Sequence, residues 1–174
     1  MKNILALALT LMACSAEENV VRVCVNYYDD DTRKCGTGFW LSEDSMRTAW
    51  HVVSDAENDT VTIAYGIEEP SATEQIITKI GYDIASIDFD ESVSESVWDL
   101  CKNKDALRVE MIGALHDGIE TILANVIDFD GEYYTIDKPV VHGYSGGPLI
   151  DVDNDCVLGV ITMRSGNNTK CEAL

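Results

Sequence analysis

Three residues in this chain of 174 have types and settings suited to acyl transfer: a serine, a histidine and an aspartate. Ser145 lies in "VVHGYSGGPLI", among three glycines and a proline. Its hydroxyl is inert at its ordinary pKa, so a nucleophilic role requires a neighbouring base. The candidates are His51, His116 and His142. His142 sits in the serine's own turn and His116 in the polar turn "LHDG". His51 follows "GTGFWLSEDSMRTAW", which reads as strand, turn, strand, with the histidine at the end where a side chain can face a cleft. Asp83 opens the otherwise apolar "GYDIASIDF". A buried carboxylate needs a partner, and an imidazole N–H is a suitable one, because the carboxylate fixes the tautomer and stabilises the imidazolium. Each residue has a plain alternative: a glycine-rich corner between strands, a structural histidine, and a solvated turn aspartate like Asp88 or Asp90.

The elements that would position these groups are strands almost throughout. "NVVRVCVNYY", "GTGFWLS", "RTAWHVV", "TVTIAYG", "EQIITKIG" and "DIASIDF" are short, rich in β-branched and aromatic residues, and separated by Asp/Asn/Gly/Ser turns. The pattern resumes after residue 105 with about six more. No long amphipathic helix and no dinucleotide-binding glycine fingerprint interrupts them. The expected fold is all-β, with two six-stranded antiparallel β-barrels over 19–90 and 105–174, joined by a polar linker at 91–104.

Composition narrows the setting. The net charge of −19, from 31 acidic and 12 basic residues, with no basic stripe, argues against nucleic-acid binding. Residues 1–16, "MKNILALALTLMACSA", have the layout of a secretory signal and are too short to span a bilayer. The ending "LMAC" resembles a bacterial lipobox, which would make Cys14 the lipidated first residue and attach the protein to a membrane; ordinary cleavage after Ala16 is the alternative. Export implies an oxidising compartment and leaves five cysteines. Cys24 and Cys35 flank one predicted hairpin turn and Cys156 and Cys171 another, so these pairs are expected to be disulfides, with Cys101 free.

"GTGFW…TAWHVV", "DIASI" and "GYSGGPLI", in the order His, Asp, Ser, resemble the trypsin-like (chymotrypsin-fold) serine peptidases, most closely the compact bacterial and HtrA-like domains. The resemblance covers about residues 35–54, 80–90 and 140–163. It implies His51 as general base, Asp83 as its orienter, Ser145 as nucleophile, and the amides of Gly143 and Ser145 as an oxyanion hole. "GYSGG" also fits the nucleophile elbow of α/β-hydrolases, but those place the histidine after the serine, and none follows Ser145. "DVDNDCVLG" begins like a calcium-binding loop, yet Cys156 replaces the required glycine and no helices are expected around it. It reads as a hairpin turn, and no metal or cofactor is expected.

The pattern departs from digestive trypsins in three places. Tyr144 stands where they carry the aspartate that pairs with a new N-terminus, and Val52 stands where they carry a cysteine. Pro139 stands where they carry a pocket-floor aspartate, so specificity for a basic residue before the cut loses its usual support. The expected pocket comprises Pro139, His142, Thr162, Met163 and Arg164. Arg164 with His142 would favour an acidic residue before the cut; the alternative has Arg164 pointing to solvent. The resemblance implies a serine endopeptidase acting on proteins or peptides; the signal-like segment makes export the expectation, and a monomer is expected because no coiled-coil seam or interface strip appears. A catalytically inactive binding module of the same fold, at the cell surface or envelope, is the other reading.

Overall fold

The computed structural model describes residues 19–26, 33–54, 56, 61–64, 75–92 and 94–174. The signal-like segment and Cys14 lie outside the described residues.

Among the described residues, twelve strands follow one another in two sets. The first set comprises β1 (Val20–Asn26), β2 (Arg33–Ser42), β3 (Ser45–Ala49), β4 (Val61–Ala64), β5 (Gln75–Lys79) and β6 (Ile84–Phe89). These form one antiparallel sheet in the order β4-β1-β2-β3-β6-β5. The second set comprises β7 (Arg108–Leu115), β8 (Gly118–Phe129), β9 (Tyr133–Ile136), β10 (Pro148–Asp151), β11 (Cys156–Ser165) and β12 (Asn168–Ala173). They close into a barrel in the order β10-β11-β12-β9-β8-β7, the seam being the β10–β7 pair. The expected pair of barrels is thus met by one closed barrel and one six-stranded sheet. Its edge strands β4 and β5 do not pair with each other among the described residues. No helix among these residues is long and apolar enough to cross a membrane.

The period-2 alternation that betrays the strands also sorts their side chains into three cores. In β6, Ala85, Ile87 and Phe89 point into the first sheet's core with Val21, Val23, Trp40 and Met46. Ile84 points the other way, into a cluster with Val20 and Phe39 from the first sheet and Ile112, Ala114, Ile150 and Val160 from the barrel. Strand β7 shows the same division: Val109 and Met111 fill the barrel with Tyr134, Tyr144 and Leu149, while Ile112 and Ala114 fill the cleft between the two sets. This third cluster fixes the mutual placement of the two halves.

Two local expectations need correction. "RTAWHVV" is not strand to its end: β3 stops at Ala49, and Trp50–Val53 form a single helical turn, α1. The buried Val52 and Val53 anchor that turn in the core. The cysteine pairing also differs. Cys24 and Cys35 are opposite one another in the β1–β2 ladder and are bonded, but Cys156 is bonded to Cys101 rather than Cys171. The β11–β12 register puts Cys171 opposite Ile161, five residues from Cys156 and so roughly 16 Å along the strand at about 3.3 Å per residue. Residues 99–101 instead run beside β11, where Cys101 N–H donates to Val157 O at 2.9 Å and carries its sulfur to Cys156. Cys171 is a free thiol, wholly buried, and burial pushes its pKa up.

Candidate active site

His51 enters the cleft on α1, directly after β3. The Trp50 N–H donates to the Asp83 carbonyl at 2.8 Å, and the His51 N–H donates to Asp83 Oδ1 at 2.9 Å. Asp83 Oδ2 lies 2.7 Å from His51 Nδ1. One carboxylate therefore grips the histidine by backbone and ring together. The Nδ1–H faces the carboxylate, which makes Nε2 the nitrogen able to accept a proton. The aspartate side chain is 18% exposed against 41% for the histidine, so the pair is shielded on the aspartate side and open on the histidine side. The paired reading of Asp83 displaces the solvated-turn reading.

Ser145 comes from the other half of the molecule. Its loop is a tight turn in which Tyr144 N–H reaches Val141 O at 3.4 Å. Gly143, with φ of +104°, takes the third position, where only a residue without Cβ is unstrained. Gly146, with φ of +89°, is pressed onto β2 and β3: a Cβ there would lie 2.7 Å from the Ala49 nitrogen and against Thr37 O and Thr48 Oγ1. Tyr144, wholly buried, lays its ring against Gly113, where a Cβ would meet ring carbons at 2.8 Å. Burial first, and Glu120 second, push the Tyr144 phenol up to about 12. The glycines and the inward-pointing tyrosine explain why a serine sits in this composition: the loop is anchored on both sides of it.

A residue that the sequence did not single out organises the loop. Thr37, on β2 and wholly buried, donates its N–H to Ser145 O at 2.8 Å and its hydroxyl to Gly143 O at 2.6 Å. The same hydroxyl accepts from Ala114 N at 2.8 Å, and the Thr37 carbonyl accepts from Thr48 Oγ1 at 2.7 Å. One threonine thus ties the first sheet, β7 and both ends of the Gly143–Ser145 segment. With both carbonyls held, the amides of Gly143 and Ser145 donate to no group among the described residues. Gly36 fixes the separation of the two halves: a Cβ there would lie 2.5 Å from Ser145 O and 2.6 Å from a Val52 methyl. The serine carbonyl and the residue after His51 are therefore packed around one point. The Ser145 hydroxyl makes no hydrogen bond to His51 in this structure; such bonds commonly tighten only when substrate is bound.

A second residue without a sequence signal is Glu172, whose carboxylate accepts from Tyr82 N at 2.6 Å and Asp83 N at 2.7 Å. Pro139, His142, Met163 and Arg164 are exposed, and Thr162 is buried with its hydroxyl donating to Lys170 O at 3.1 Å. Arg164 Nε donates to Gly166 O at 3.0 Å, within its own hairpin turn. Among the described residues the close group of metal-ligand types is Cys101, Asp151 and Cys156. Its sulfurs are joined as a disulfide, and the Asp151 carboxylate accepts from Asp153 N and Asn154 Nδ2 inside the β10–β11 turn.

No family model matches the chain. Serine protease HTRA4 of Homo sapiens is 29% identical over 146 residues, covering 74% of this chain and 30% of that protein. Serine protease HTR4 of Bos taurus is 27% identical over 145 residues, again 74% of this chain but 29% of the relative. The chain thus matches under a third of the length of these relatives. Among solved structures, the active form of the Rv3671c protease from M. tuberculosis superposes with a TM-score of 0.74 at 22% identity, over 92% of this chain and 78% of that one. The serine endoprotease from Yersinia pestis gives 0.71 at 19% identity, over 90% and 59%. The resemblance to trypsin-like serine peptidases carried by the His51, Asp83 and Ser145 segments is therefore borne out, in sequence and in fold.

Proposed function

We propose that this chain is an exported serine endopeptidase that cleaves protein or peptide bonds through an acyl-enzyme on Ser145. The observation that carries the reading is the double grip of Asp83 on His51, set in the cleft that also receives the glycine-cradled serine loop. The names of the similar proteins support it. In the first half-reaction Ser145 Oγ attacks the scissile carbonyl carbon as His51 Nε2 takes its proton. The resulting oxyanion is held by the Gly143 and Ser145 amides, and Asp83 stabilises the imidazolium. Collapse expels the amine, which leaves with the proton from His51. Water, activated by the same nitrogen, then releases the acid. Every donor and acceptor is supplied by the chain, so no cofactor or metal enters the scheme.

Pro139, His142, Thr162, Met163 and Arg164 are proposed to border the pocket for the residue before the cut. With Arg164 tied to its own turn, an acidic preference rests on His142 alone. Two disulfides support an extracytoplasmic destination, with Cys14 as the proposed lipid anchor. The second reading is a catalytically inactive binding module of the same fold. Labelling of residues 15–174 by a fluorophosphonate probe, alongside Ser145→Ala and His51→Ala, separates them. Labelling that needs both residues establishes the activated serine, and a folded protein that does not label refutes it.

A further inference from the structure

The loop from Ile80 to Ile84 carries Asp83 into the site, and its own turn spends few of its amides. Ile80 N and Gly81 N both donate to the Ile84 carbonyl, at 3.0 and 3.3 Å. The next two amides, of Tyr82 and Asp83, point together at one place, the carboxylate of Glu172. Successive N–H groups turned to one side make a cradle for an anion, and here the anion belongs to the protein. Gly81 leaves room for it, since a Cβ there would strike Glu172 Oε1. Glu172 is 5% exposed, and no Lys or Arg forms an ion pair with it among the described residues. A carboxylate this buried is retained only where its hydrogen bonds are good, and at 2.6 and 2.7 Å these are.

The carboxylate comes from β12, in the other half of the molecule from Asp83. Strand β12 pairs with β11, Cys171 standing opposite Ile161. Ile161 in turn exchanges hydrogen bonds with the serine loop: Gly146 N donates to Ile161 O at 2.7 Å and Ile161 N to Gly147 O at 2.8 Å. A short chain of backbone contacts thus runs from Ser145 to Glu172, and two charge-assisted hydrogen bonds complete it to Asp83. All four polar atoms of Asp83 are then assigned. Its two carboxylate oxygens and its carbonyl hold residues 50 and 51, and its N–H is held by Glu172.

We propose that Glu172 is the positioning residue of the His51–Asp83 pair, a clamp by which the serine-bearing barrel sets the aspartate, and through it the imidazole, in register with Ser145. The inference rests on the catalytic reading of Asp83 and adds to it a residue on the last strand of the barrel. Glu172 touches no reacting atom; it acts through the Tyr82–Asp83 backbone.

The test reads the histidine directly and does not depend on turnover. In residues 15–174, the low-field proton resonance of His51 Nδ1–H reports its bond to Asp83. Glu172→Gln keeps the shape of the side chain but turns one acceptor into a donor facing an N–H. The expected result is a folded protein in which this resonance moves upfield or is lost to exchange with water. Fluorophosphonate labelling falls about tenfold to a hundredfold in step, the cost of an ångström-scale misplacement. Glu172→Asp, which keeps the charge but is one methylene short of both amides, is expected to do the same. A resonance and labelling rate unchanged in both variants overturn the proposal. Should both fail to fold, amide hydrogen exchange of the unmutated protein decides: slow exchange at Tyr82 and Asp83 supports the clamp and fast exchange overturns it. A protein that shows the resonance, and loses it in Glu172→Gln, yet never labels refutes the peptidase reading while leaving the clamp in place.

Discussion

Replacing Thr37 by valine removes one oxygen and keeps the branched shape, so the β2 backbone and its packing are preserved. The hydroxyl has two partners, the Gly143 carbonyl at 2.6 Å and the Ala114 amide at 2.8 Å, and both are left in a region where Thr37 itself has no exposed surface. Each orphaned buried group costs about 1–3 kcal/mol, so Thr37→Val, which orphans two, is expected to lose about 2–6 kcal/mol of stability. For a chain of this size, at about 2–4 °C per kcal/mol, that corresponds to a melting temperature lower by roughly 4–24 °C. The functional effect is separable, because the freed Gly143 carbonyl belongs to the turn that aims the proposed oxyanion donors. Loss of one such donor costs about a hundredfold or more in rate. Urea denaturation gives the first quantity and the fluorophosphonate labelling rate, taken well below the transition, the second. Thr37→Ser keeps the hydroxyl and is expected to retain most of both. Thr37→Val with unaltered stability and labelling, or Thr37→Ser as impaired as valine, would refute the assignment of the threonine as the hub of the serine loop.

Four further outcomes follow from the same geometry. Gly36→Ala pushes a methyl between Ser145 O and Val52, so it is expected to slow labelling more than it lowers the melting temperature; the reverse order would contradict the packing described. Thiol titration of residues 15–174 should find no reactive thiol in the folded protein and one, Cys171, after denaturation without reductant. Opening Cys101–Cys156, which closes 55 residues, should cost about 4 kcal/mol by the chain-entropy relation, against about 3 for the 11-residue separation of Cys24–Cys35. The phenols of Tyr134 and Tyr144 are each raised to about 12 by burial. Their folded-state pKa lies above the unfolded value near 10, so the stability they contribute is complete below pH 10 and is lost as pH rises toward about 12. Phenolate absorbance and near-ultraviolet circular dichroism should change together there, and Tyr144→Phe should remove part of the slope. Titration of every phenol near 10 in a folded protein would refute this.

What the sequence discloses follows from how local each determinant is. The strands are legible because Ala85, Ile87 and Phe89 alternate with more polar neighbours, and alternation is a property of consecutive residues. The partnership of Asp83 with a histidine is legible because a carboxylate opening an apolar strand demands one. The helical turn Trp50–Val53 is not, since four residues are too few to display a period. The pairing of Cys156 with Cys101 depends on a register that shifts at Ile161/Met163 and on the path of an irregular segment, neither of which composition records. Thr37 and Glu172 are the hardest to foresee. Their partners lie 106, 90 and 89 residues away, and a buried threonine inside "GTGFW" or a glutamate inside "TKCEAL" looks like any other strand residue.

The division of the site between two sets of strands has a consequence for the cell that makes the protein. During synthesis His51 and Asp83 emerge first, about ninety and about sixty residues ahead of Ser145, and Glu172 comes after all three. The six strands made first hold the proposed base with nothing to deprotonate. A nascent barrel holds the proposed nucleophile with nothing to activate it. The proposed chemistry can begin only once β12 has closed the barrel and reached back to the Tyr82–Asp83 loop, so the proposed hydrolytic capacity arrives with β12. Topology itself then acts as a timer, keeping an incomplete chain harmless to the machinery that translates it.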